Sequence, residues 1–172
     1  MQRRHFLQAS LTAAAAAPLA ACGSAAVAVF PTLASAHAAL EVLLKTPQRT
    51  RSGWPLPAVL EHAAQSVEFS LGGFPEVKSA LFHATVGAAA FAVFDAKGSM
   101  HHSLTDPIPG APALGAASLE QAIARLQKAL RDFEAHRGRL TLHFAYGALD
   151  HAQYTRAHLM HLANHWEEVV HG

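Results

Sequence analysis

An all-α domain is what this 172-residue sequence predicts: a four-helix bundle with one additional short helix, behind an N-terminal export segment. Three observations lead there. Apolar residues recur at the three- and four-residue spacing of a buried helix face in one segment after another. Two capping boxes, Ser118-Leu-Glu-Gln121 and Asp150-His-Ala-Gln153, mark helix starts. Strand-like alternation never persists long enough to define a sheet.

The first 36 residues read as an address, and residues 37–172 as the folded domain. Arg3 and Arg4 precede Phe6 and Leu7, as in a twin-arginine export signal. No Asp, Glu, Lys or Arg follows until Glu41, and much of that stretch is alanine. Leu19-Ala20-Ala21-Cys22 resembles a lipoprotein box, in which the cysteine is acylated and tethers the domain to a membrane. Two other readings stand beside it: cleavage at Ala34-Ser35-Ala36, which frees a periplasmic protein, and retention as an uncleaved anchor.

Leu33 to Lys45 is a helix candidate ended by Pro47. Pro55 opens the next, with Leu56, Val59, Leu60, Ala63 and Val67 on one stripe and Gly72-Gly73 as its stop. A third runs from Glu76 to Ala96, with Val77, Leu81, Ala84, Ala88 and Phe91 as the expected core stripe and Gly98 closing it. Pro107, Pro109 and Pro112 then give a loop with fixed bends. The capping boxes start a fourth helix, to about His136, and a fifth, to about Val170.

Composition narrows the functions. Net charge is +1 for the whole chain, and cleavage before Cys22 leaves 11 basic against 12 acidic groups. Near-neutrality gives no electrostatic footprint for nucleic acid. The aromatic residues Phe69, Phe74, Phe82, Phe91, Phe94, Phe133, Trp54 and Trp166 read as core, because no basic groove accompanies them. One cysteine excludes an internal disulfide and a thiolate cluster. No Gly-x-Ser-x-Gly elbow is present.

Thirteen histidines are the unusual feature. On the last helix His158, His161 and His165 fall within an arc of about 60°. His161 and His165, four apart, place two imidazoles about 6 Å apart at Cβ, in reach of one ion. A chain this rich in histidine contains about one HxxxH pair by chance, so spacing alone decides nothing. Position adds weight. Both flank the apolar arc of Leu159, Leu162, Ala163, Trp166, Val169 and Val170, and His62 flanks the stripe of the second helix. Edges of packed stripes meet in the clefts where bundle metal sites are built. His158 reads as a packing or solvent-facing residue, and His101-His102 as a solvated loop pair.

The segments WPLPAVLEHAAQSVEFSLGGFP, DPIPGAP and HFAYGALDHAQYTRAHLMHLANHWEEV together resemble an uncharacterised, often exported branch of the DinB-like superfamily of metal-binding helical bundles. The resemblance covers about residues 40 to 170. It implies a four-helix bundle whose divalent ion is held by His62, from HAAQS, and by His161 and His165, from HLANH. Zinc is the first expectation for the ion, with nickel and iron as alternatives. Some members are thought to be hydrolases or to transfer low-molecular-weight thiols, and the resemblance admits a homodimer. This chain departs from the pattern at Asn164-His165, where relatives tend to carry a His-His doublet, and at His143-Phe144, where they tend to carry His-Pro.

Three ligands would leave the ion an open position for water or substrate. Gln65, one turn from His62, and Glu168, one turn from His165, are then candidates to orient water or take a proton, with His143 a third from its loop. The expected function is a metal-dependent enzyme of the cell envelope acting on a small molecule, with hydrolysis as its default reaction. The alternative is a non-catalytic, metal- or ligand-binding envelope lipoprotein.

Overall fold

A computed structural model describes residues 27–46, 48–51 and 53–171. Arg3, Arg4 and Cys22, on which the export and lipidation readings rest, lie outside them. Among the described residues the fold is mostly helical, with five helices and one small sheet. Helix α1 is Leu33–Leu43, opened by a capping box between Thr32 and Ser35. Helix α2 is Leu56–Gly72, with proline at its start as expected and Gly73 at positive φ after its end. Helix α3 is the run 80–97, in which a π-turn over His83–Gly87 separates Ala80–Phe82 from Ala88–Lys97. Helix α4 is Leu119–Ala135 and helix α5 is His151–Trp166; each begins at its expected capping box.

The expectation of a purely helical chain is overturned at two short strands. Strand β1, Gln48–Thr50, pairs antiparallel with strand β2, Val169–His171. Three-residue strands are too short to show alternation, so no periodic signal announces them. The last helix therefore stops at Trp166 rather than near Val170, and Val169 and Val170 leave its apolar arc for a ladder. Thr50 Oγ1 donates to the Trp54 carbonyl at 2.7 Å, fixing the turn from β1 into α2.

The core lies between α1, α2, α4 and α5. Leu60, Ala64, Ile123, Leu126, Phe133, Tyr154 and Met160 are fully buried in it. Arg125 of α4 locks onto α2: its guanidinium takes Glu68 in a bidentate pair at 2.7 and 3.0 Å and also grips the buried Glu61. Val27 and Phe30, ahead of α1, are buried too, and Phe30 sits edge-on to Trp166.

The third helix departs from its expected packing. It starts at Ala80 rather than Glu76, and Val77 and Leu81 of the predicted stripe are exposed, with Ala84 and Ala88. Among its side chains Phe91 is the buried one. The π-turn inserts an extra residue into the helical period and rotates the two halves out of one stripe. It also brings Gly87 against the 143–147 loop, where a Cβ would stand 2.2 Å from the Ala145 carbonyl oxygen. Gly147, at φ 81°, completes that contact over His83.

Candidate metal centre

Helices α2 and α5 bring the three expected histidines together. One ring nitrogen from each of His62, His161 and His165 lies within 4.8 Å of the other two. His62 Nε2 and His161 Nε2 are 3.1 Å apart, close to the roughly 3.3 Å edge of a tetrahedron of nitrogens bound at about 2.05 Å. Ring centroids are 4.9 to 5.0 Å apart in all three pairs. Imidazoles sharing one ion through their outer nitrogens have centroids roughly 5 Å apart.

The three rings fit a cation on chemical grounds as well. His62 and His165 are buried, and His165 Nε2 has no hydrogen-bond partner among the described residues. Buried polar atoms are ordinarily paired, and a ligating lone pair relieves that cost. Burial, reinforced by neighbouring imidazoles, lowers the His62 pKa to about 4 and that of His165 to about 3; His161 is lowered well below its ordinary value for the same reasons. At neutral pH all three rings are uncharged, the form that binds metal.

A cavity of about 310 Å³ adjoins the cluster. His62 and His161 line it, and Met100, Ile108, Phe144, Tyr146 and Ala157 give it apolar walls. Lys78 and Asp106 are its charged lining residues.

The remaining candidates take different places. Gln65 is buried and its amide donates to the Pro112 carbonyl at 3.0 Å, pinning the proline-rich loop to α2 instead of lining the cavity. Glu168 lies past the end of α5, where its carbonyl accepts from Arg51 at 2.7 Å. His143 lines the cavity, but its Nδ1 accepts from the backbone N–H groups of Ala145 and Tyr146, both at 3.1 Å. Its ring stacks on Tyr146 at 4.3 Å, so it organises the loop. His158 is buried rather than solvent-facing; it contacts Ser70 Oγ at 3.2 Å and packs against Phe133 and Tyr154. Burial lowers the pKa of His143 and of His158 to about 3.

Two neighbours of the cluster escape a sequence reading. Trp54 is edge-on to His62 at 5.1 Å. His102 keeps the exposed loop position its place after a helix end suggests, yet its ring reaches the cluster. Its ring is 4.9 Å from His161 and 5.0 Å from His165. The backbone N–H of His102 donates to Asn164 Oδ1 at 3.1 Å, and that side-chain bond was the missing signal.

Residues 27–172 match the model of a family described as a protein of unknown function, DUF1569. No curated protein and no solved structure matches the chain.

Proposed function

The chain belongs to the DUF1569 family, and we propose that it is a metal-dependent enzyme of the cell envelope, with a divalent ion held by His62, His161 and His165. We read the helices as a four-helix bundle of the DinB-like type with an additional short helix. The convergence of three neutral imidazoles from two helices beside a cavity carries the reading. Zinc is the favoured ion, since a tetrahedral nitrogen set suits it; nickel and iron accept the same ligands.

A divalent ion there supplies Lewis-acid chemistry, activating water or polarising an acyl or phosphoryl oxygen. The protein's own groups do the rest. His62 and His161 face the cavity and orient whatever enters it. Phe144, Tyr146 and Ile108 exclude water from an apolar substrate body. The Lys78 ammonium and the Asp106 carboxylate sit where a polar end of a small molecule would be held. Hydrolysis is the favoured reaction class.

Metal content decides the reading. The full chain, purified and assayed by elemental analysis, is expected to hold about one zinc, nickel or iron per molecule, and His161→Ala to hold almost none. Equal content in the two would dispose of the centre.

A second reading, a binding lipoprotein without turnover, draws support from Gln65 and Glu168, neither of which lines the cavity. Small ester and amide probes separate the two: cleavage by the zinc-loaded chain that vanishes in His161→Ala supports the enzyme, and bound metal without cleavage supports the binder. The export pattern around Arg3 and Arg4 and the box at Cys22 support an envelope location with an acyl tether. Incorporation of labelled palmitate that is lost in Cys22→Ser is the expected signature.

A further inference from the structure

We propose that His102 is a fourth metal ligand, delivered to the ion by the loop that follows α3. The proposal rests on the three-histidine reading and deepens it.

Three independent features place His102 there. First, its ring stands 4.9 Å from His161 and 5.0 Å from His165, the same separations found among the three helical ligands themselves. Imidazoles gathered on one ion have centroids roughly 5 Å apart, so both separations are compatible with a shared ion. Second, its Nδ1–H donates to the Ser103 carbonyl at 2.7 Å. That bond puts the ring proton on Nδ1 and leaves the Nε2 lone pair bare, the tautomer that a carbonyl imposes on a metal-binding histidine. Third, the backbone of His102 is tied to the metal-bearing helix itself. Its N–H donates to Oδ1 of the buried Asn164, which lies between His161 and His165 on α5.

His102 differs from the other three in its support. His62, His161 and His165 sit on helices whose backbones are fixed by packing, whereas His102 lies on a loop whose anchor to α5 is one side-chain amide. Its ring nitrogens lie outside the set already gathered within 4.8 Å, so ligation by His102 requires the loop to move toward the cluster. His102 also lines the cavity. Like His62 and His161 it is open to an entering molecule, and it is the ligand whose departure costs the least rearrangement of the helices.

Zinc coordination tests this. The full chain and its His102→Ala and His161→Ala variants are loaded with zinc and measured by X-ray absorption for imidazole count and by competition with a chromogenic chelator for affinity. Four imidazoles are expected in the parent. His102→Ala should show three imidazoles plus one light-atom ligand, with zinc affinity lower by at least about tenfold. Added free imidazole should restore the fourth nitrogen. Asn164→Ala, which frees the loop and removes no ligand, should weaken binding by less. Thermal melts of the metal-free proteins check that His102→Ala folds like the parent.

An unchanged imidazole count and affinity in His102→Ala, beside loss of zinc in His161→Ala, overturns the fourth ligand and leaves the three-histidine centre standing. Zinc retained at full affinity in His161→Ala, or not bound by the parent, overturns both.

Discussion

His62 and His161 are 99 positions apart in the chain, yet their Nε2 atoms stand 3.1 Å from each other. At that distance one neutral ring nitrogen can donate to the other, and a cation between them would replace that hydrogen bond with two metal–nitrogen bonds. The first expected consequence is thermodynamic. Zinc at 1,000 times its dissociation constant should stabilise the parent by about 4 kcal/mol and raise its Tm, because the unfolded chain lacks the assembled site. In His62→Ala that metal-dependent rise in Tm should be largely lost.

Acid should unfold the protein early. His62, His143, His158 and His165 have folded-state pKa values lowered to about 3 or 4, chiefly by burial, against an unfolded value near 6.5. The unfolded chain therefore binds more protons than the native one between those limits, and stability increases with pH across that window. It is fully present above about 6.5 and drains away as pH falls toward 4. Melting at pH 7.5, 6.0 and 5.0 should show falling Tm, and a Tm independent of pH over this range would contradict the buried-neutral assignment.

Arg125 holds α4 against α2 through Glu61 and Glu68. Arg125→Ala would leave the buried Glu61 carboxylate unpaired. The guanidinium is about a third exposed, which places the cost at roughly 2–3 kcal/mol rather than higher. Replacing Glu68, the more exposed partner, should cost under about 1 kcal/mol in urea titrations.

Gly87→Ala puts a methyl 2.2 Å from a backbone oxygen that has no flexible end to yield. Overpacking of this kind should cost about 1–3 kcal/mol and push the 143–147 loop away from α3. Gly72→Ala, where a Cβ meets nothing within 4 Å, is the control.

A chain shortened to begin after Ala36 would lack Val27, Phe30 and Leu33, all buried. Losing three apolar anchors at roughly 1.5–3 kcal/mol each should leave it much weaker than one starting at Val27. Limited proteolysis of the two would show the difference.

Much of the helical layout is legible because its signals are local. Ser118 with Gln121 and Asp150 with Gln153 satisfy backbone donors within one turn, and Pro55 sets the start of α2 without help from the rest of the chain. His161 and His165 share a face by helical geometry, and His62 joins them through recognition of the HAAQS and HLANH segments. What stays hidden depends on contacts between distant parts. The β1–β2 ladder joins residues more than a hundred positions apart. Val77 and Leu81 carry an apolar pattern yet stand exposed, because burial depends on what packs against α3. His102 joins the cluster through an amide 62 positions away, and no spacing rule encodes that bond.

The pairing of β1 with β2 ties the histidine cluster to a segment more than a hundred positions downstream of β1. Val169 to His171 brace the strand that leads to Trp54, and Trp54 rests on His62. A chain synthesised only as far as α4 can present His62 but neither its brace nor its two partners from α5. The three rings therefore meet only after residues 151–171 have been made, and a fragment that stops before α5 lacks two of the three imidazoles.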